Sequence, residues 1–154
     1  MPKKIIRFNI TPQTNIRTVQ SDRWFFRIPR HKLSKTGLQR LLRIERYNEY
    51  KLALRAMALK QHFDFPSQGV WIRFYIPCPR SWSEKKKKFY HGKLHMQRID
   101  LDNFCKALFD GLFTEDKHIG HFTASKHWVN FETGWIEFEI TDPIFPEIPS
   151  TQEK

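Results

Sequence analysis

The sequence predicts an α+β fold: a single domain with a mixed or antiparallel sheet and two main helices. Three observations predict it. Short β-branched or aromatic stretches closed by turn residues recur along the chain. Two longer segments repeat apolar residues at helical spacing. The length, 154 residues, is that of one domain able to bury a real core.

Taken in order, KKIIRFNI (3–10) and DRWFFRIP (22–29) read as strands, with TPQTN as the loop between them. Ser34 or Thr36 caps a helix running to about His62, because Leu38, Leu41, Leu42, Tyr47, Leu52, Leu54, Met57 and Leu59 recur at roughly helical spacing. Its other face carries Arg40, Arg43, Arg46, Lys51 and Arg55, most simply a solvated face, with a phosphate-facing stripe as the alternative. Pro66 to Gly69 breaks the chain, and VWIRFYIP (70–77) is a further strand. Residues 78–97 show no clear period and are dense in lysine. They read as a loop of about twenty residues, a length reserved for functional or disordered segments. A second helix spans about 101–112, with Gly111 near its end. ASKHWVNF (124–131) and GWIEFEI (134–140) flank a short turn and read as a β-hairpin. Trp71, Phe74, Trp128, Trp135 and Phe138 lie on these strands as core residues. The domain is expected over 1–142, and 143–154, with three prolines, as a flexible tail.

Composition narrows the function. Lys and Arg number 27 against 16 Asp and Glu, for a formal net charge of +11 and a pI near 9.9. Such an excess points to a polyanionic partner, most often nucleic acid. No apolar run reaches the ~18 residues that a membrane span needs. The start, MPKKIIRFNI, lacks the continuous apolar region and small-residue cleavage site of a secretory signal. Two cysteines, Cys78 and Cys105, form no CxxC pair. That usage fits a reducing cytoplasm and argues against structural zinc or a disulfide scaffold. His91 with His95, and His118 with His121, have spacings that zinc can use, but neither pair lies on a clear helix. They read as surface or phosphate-contacting groups.

Against this basic background, RIDLDNFCKALFD (98–110) gathers acids beside the most helix-like apolar face. Asp100 suits an N-cap and Asp102 a first helical turn, where acids meet the partial positive charge of the helix end. Capping alone accounts for either one. The remaining pattern asks for more: Asp102, Lys106 and Asp110 recur every four residues on one face, and Glu115-Asp116 follows the helix directly. If Asp100, Asp102 and Asp116 converge, each pair at ~4 Å repels by about 4 kcal/mol at an effective dielectric near 20. Lys106 offers one counter-charge and a divalent ion a better one, since magnesium takes carboxylates together with water and phosphate oxygens.

PRSWSEKKKKFYHGKLHMQRIDLDNFCKALFDGLF followed by EDKHI resembles the RusA family of Holliday-junction resolvases, most densely over 77–119. The ordered set carries the resemblance: a P-x-SWSKKK-like segment, a basic stretch, a D-x-DN-x-x-K-x-x-x-D helix, then an acidic pair before Ile. It implies a RusA-like α+β fold and a homodimeric, magnesium-dependent endodeoxyribonuclease that cuts four-way junctions by paired incisions, in a family common in phages and prophages. Manganese is the alternative metal. The resemblance makes Asp100, Asp102 and Asp116 the metal-binding catalytic carboxylates and Lys106 the catalytic lysine. Asn103, Asp110 and Glu115 support them. One departure is that the family's usual Asp-Asp pair is Glu115-Asp116 here. The candidate DNA contacts are Arg80, Trp82, Lys85, Lys86, Lys87, Lys88, Lys93 and Arg98, with lysines meeting phosphates and rings stacking on exposed bases. Two other classes compete: a non-catalytic basic nucleic-acid-binding protein, and an adaptor held by acidic partners through the long basic helix.

Overall fold

A computed structural model describes residues 3–142. Four strands form one mixed sheet: β1 (Lys4–Phe8), β2 (Val70–Pro77), β3 (Phe122–Val129) and β4 (Trp135–Ile140), in the order β1-β4-β2-β3. β4 runs antiparallel to both β1 and β2, while β2 and β3 are parallel, with Val70 opposite Phe122 and Pro77 opposite Val129. A parallel pair needs a long crossover. Here it is residues 78–121, which contain α3 (Glu84–Tyr90) and α4 (Leu101–Leu112). A short helix, α1 (Asp22–Phe25), a 3₁₀ turn over Arg30–Lys32 and the long α2 (Lys35–Lys60) lie between β1 and β2.

Alternation on the strands sends Ile6, Phe8, Val70, Ile72, Phe74, Ile136 and Phe138 to one face, where they meet Tyr47, Tyr50 and Leu54 of α2 and Phe104, Ala107 and Leu108 of α4. Edge-on and tilted rings fill the seam, such as Phe8 with Phe138 at 5.0 Å and Phe65 with Phe109 at 5.5 Å between centroids. α2 and α4 approach closely at Gly111, where a Cβ would come within 2.5 Å of Leu54 Cδ1. Gly111 therefore serves helix packing, not helix termination.

The α2, β2 and α4 expectations hold. Ser34 is the cap of α2, its Oγ accepting from Gly37 N–H at 3.1 Å. Five expectations are corrected, the last of them at His95 below. Residues 22–29 are not a strand. The Asp22 carboxylate accepts the Val19 N–H at 2.7 Å and takes a partly buried ion pair from Arg40, which holds a helical turn and leaves Trp24 and Phe26 exposed. Residues 78–97 are not all loop. Ser83 caps α3, accepting from Lys86 N–H at 3.2 Å, with Glu84 in the first turn and Lys87 and Lys88 in the last. The final two strands are not a hairpin, because β2 lies between them; the 130–134 link crosses the end of β2. Gly134 makes that crossing possible, since a Cβ there would sit 2.0 Å from the Tyr75 carbonyl oxygen. Trp71 is exposed on the open sheet face, with Arg73 stacked 4.0 Å from its ring, and is not core.

The exposed side of β3 is covered by the chain before α4. Gly92 and His95 N–H donate to the Trp128 and Lys126 carbonyls, and Trp128 N–H donates to Lys93 O. His95 is thus buried, stacked 3.7 Å from Trp128, which corrects its reading as a surface histidine. The expected tail at 143–154 lies outside the described residues.

Candidate active site

α4 is the second helix of the crossover, and its first turn stands at the carboxyl end of β2, where Ile99, Phe104 and Ile76 border one cleft. Asp100 occupies the N-cap position with extended backbone (φ −70°, ψ 141°), yet its carboxylate makes no capping bond. The backbone carbonyl of Asp100 takes the Asn103 N–H instead, at 3.1 Å. The side chain is therefore exposed and not spent on the helix. One turn in, Asp102 is exposed and accepts from Lys106 Nζ at 2.9 Å, the i,i+4 pair that the spacing implies. This lysine contact holds the Asp102 carboxyl below the usual carboxylate range. The next member of the row, Asp110, faces α2 and accepts from the Tyr47 hydroxyl at 2.8 Å. Burial, then this carboxylate, pushes the Tyr47 phenol up, so it stays a donor. Asp110 thus ties α4 to α2.

The residue just before the acids is under backbone strain. Ile99 has φ 91°, a rare value for a β-branched side chain, and such outliers gather at functional sites. Lys126 of β3 holds the segment, its Nζ donating to the carbonyls of Gln97 (3.1 Å) and Ile99. Asn15 N–H donates to Asn103 O at 3.1 Å, so the loop after β1 is laced to the first turn of α4. Sequence reasoning missed Lys126 and Asn15, and no local signal marks either, because both act through contacts distant in the chain.

Asp116 is not brought to Asp100 and Asp102. α4 is 12 residues, roughly 18 Å at 1.5 Å per residue, and Asp116 follows its far end. There Asp116 O accepts from Ile119 N–H, and Gly120 N–H donates to Ser67 O, beside the start of β2. Glu115 pairs with Lys117 at 2.6 Å. Among the described residues no three His, Cys, Asp or Glu side chains gather as a metal cluster. Within the described residues Asp100 and Asp102 share the start of α4, and Asp116 lies beyond its other end. That pair fits magnesium on donor chemistry, because the ion commonly takes one or two carboxylates and completes its shell with water and phosphate oxygens.

The lysine run is helical. Lys85, Lys86 and Lys88 are exposed on α3, and Lys87 leans on Glu84 at 3.4 Å. Trp82 is half-buried against Tyr90 and Trp128 with Lys86 Nζ 4.2 Å from its ring, so its faces are largely occupied. The exposed ring beside the run is Phe89, with Lys93 Nζ 3.2 Å from its centroid. Arg80 and Arg98 are exposed.

A carboxylate pair at a helix N-terminus, set in a strongly basic α+β frame, has the chemistry of a class of proteins that act on nucleic acid. The comparisons sharpen this: residues 27–139 match the family endodeoxyribonuclease RusA, so the chain belongs to the RusA family, whose activity is Holliday-junction resolution. No curated protein and no solved structure gives a significant match. Among the described residues no helix is long and apolar enough to cross a membrane.

Proposed function

We propose that this chain is a magnesium-dependent endonuclease that resolves four-way DNA junctions by paired phosphodiester cleavage, acting as a homodimer in the cytoplasm. The observation that carries the reading is Asp100, a carboxylate at an N-cap that leaves the cap unmade and stands beside Asp102 on a strained approach. Asp100 and Asp102 would hold the metal, and manganese is an alternative with the same donor preference. When bound, the metal supplies charge for the attacked phosphate and a more acidic water. The chain does the rest. The N-terminal dipole of α4 favours anions at this end, and so steadies both the carboxylates and an incoming phosphate. Lys106, one turn along, is within reach of charge developing on the phosphate or its leaving oxygen, once it exchanges its Asp102 contact for the substrate. Lys126 keeps the Ile99 carbonyl, and hence the Asp100 backbone, in place. Two symmetric cuts need two sites related by a two-fold axis, which a C2 dimer provides.

The decisive experiment incubates the protein with a synthetic four-way junction and magnesium, beside Asp102→Asn and a linear duplex control. Cutting by wild type, lost in the variant with binding retained, is expected. The second reading, a basic DNA-binding protein that does not cut, is favoured by Asp102 already being neutralised by Lys106 and by Asp116 lying apart. Wild type that binds junctions but never cuts with magnesium or manganese decides for it.

A further inference from the structure

The cation stripe of α2 divides into spent and unspent charges. Arg40 is engaged by Asp22 at 2.9 and 3.0 Å and donates to Arg17 O at 2.7 Å. Arg55 donates to Gly111 O at 2.8 Å, and Lys51 Nζ lies 4.9 Å from the centre of the Tyr47 ring. Arg43 and Arg46 remain exposed, and among the described residues no carboxylate pairs with them or with Arg17. All three unpaired arginines line one open cleft of about 720 Å³. The 12–17 loop forms one wall, α2 another, and Ile76 with Ile99 an apolar border.

The place of the cleft matters as much as its charge. Ile99 directly precedes Asp100, and the loop wall is tied to the first turn of α4 through Asn15 and Asn103. The cleft therefore borders the start of α4, with Ile99 and Phe104 of its lining on either side of the acidic pair in sequence. Its far wall is held in shape by the Arg40–Asp22 pair, which contributes no net charge and leaves three guanidinium groups facing a concavity without a counter-ion. Side chains at i and i+3 on a helix stand about 5–6 Å apart at Cβ, so Arg43 and Arg46 reach neighbouring groups of one extended anion. The guanidinium fork binds phosphate oxygens in pairs, which an ammonium does not.

We infer that this cleft seats the sugar–phosphate backbone of a single DNA strand, with Arg17, Arg43 and Arg46 on its phosphates and Ile76 and Ile99 against its sugars. It is a second DNA contact beside the lysines of α3, and it leads the strand to Asp100 and Asp102. Delivery to the acids rests on the nuclease reading; the strand contact does not.

Binding of a fluorescent four-way junction in metal-free buffer, across a salt series, tests it without cutting. Arg43→Gln/Arg46→Gln is expected to weaken binding at least tenfold. It should also flatten the plot of log affinity against log salt by about 1.4, at ~0.7 per single-strand phosphate contact. Arg17→Gln, on the loop and not the helix, should flatten it by about 0.7. Arg43→Lys/Arg46→Lys should keep the slope while losing part of the affinity. Melting curves of each variant separate contact from unfolding, and Arg17→Gln decides alone if the helix variant does not fold. Unchanged affinity and slope in a folded Gln variant overturn the cleft. The two readings fail separately. Wild type that never cuts, with variants that still lose slope, removes the nuclease and keeps the cleft. Wild type that cuts, with variants that bind as it does, does the reverse.

Discussion

Three helix starts in this chain meet the same physical need in different ways, and the difference is visible at single residues. Ser34 and Ser83 each satisfy an orphan amide of the helix they begin, whereas Asp100 has the position and the backbone angle but not the bond. Ser34→Ala should thus cost about 1 kcal/mol in urea unfolding, the usual worth of a serine cap. Asp100→Ala should change stability by less than ~0.5 kcal/mol, because there is no cap bond to lose, while abolishing cutting. An Asp100→Ala loss as large as that of Ser34→Ala would restore the capping explanation. His95 gives a pH dependence. Burial first, then the nearby Lys126 charge, holds its imidazole below the ordinary value of 6.5, so the folded state keeps it neutral. The unfolded chain binds that proton first, so stability is intact above about pH 7 and falls as pH drops below 6.5 toward the depressed value. Thermal melting between pH 7.5 and 5.5 should show the fall, and His95→Phe, which keeps a ring on Trp128, should remove this part of it. At this scale the placement of the candidate residues was half legible. Asp100, Asp102 and Lys106 are placed by helix-local spacing, which sequence displays directly. Asp116 depends on which end of α4 the following chain meets, and Asp110 on a tyrosine 63 positions away. Neither is written locally.

Elements show where the pattern speaks and where it is silent. VWIRFYIP and LDNFCKALFDGL were readable to the residue because each buries a continuous apolar face between clear breaks. DRWFFRIP was not, because a short aromatic run fits a strand or a helical turn equally, and the Asp22–Arg40 pair decides the matter from 18 residues away. The lysine run hid α3 because its exposed face leaves no apolar period to read, although Ser83 and Glu84 signal a helix start. The apparent hairpin failed for a topological reason. β2 inserts between β3 and β4, and only a link able to pass its carbonyls can make the crossing. Gly134→Ala tests this directly. A methyl group 2.0 Å from the Tyr75 oxygen meets backbone that cannot rotate away, so a loss of about 1–3 kcal/mol is expected. Gly111→Ala should cost less, because its nearest obstacle is the end of the Leu54 side chain, which can shift. If Gly134→Ala unfolds at the wild-type urea midpoint, the link does not run over β2 as described.

For the whole molecule, two groups of exposed cations bear on DNA binding, the lysines of α3 and the arginines of the cleft. Four lysines on α3 would together contribute a salt slope near −3.6, at ~0.9 per duplex phosphate. The structure lowers this expectation, because Lys87 is engaged by Glu84 and only Lys85, Lys86 and Lys88 stand exposed. Lys85→Gln/Lys86→Gln/Lys88→Gln should therefore flatten the salt dependence of junction binding by about 2.7. Combining this triple change with Arg43→Gln/Arg46→Gln discriminates between one DNA engaging both surfaces and two alternative modes of binding. Simultaneous engagement makes the lost slopes add, to about 4.1, since residues on separate elements with no shared partner contribute independently. Alternative modes give small single losses and a combined loss larger than their sum, because removing one surface merely sends the DNA to the other and only the combined change removes both. A junction offers both a duplex arm and a strand at the crossover, whereas a linear duplex offers only the first. The additive result is accordingly expected with the junction, and the α3 contribution alone with the linear duplex; equal losses on both DNAs would place the selectivity for branched DNA somewhere other than in these two surfaces.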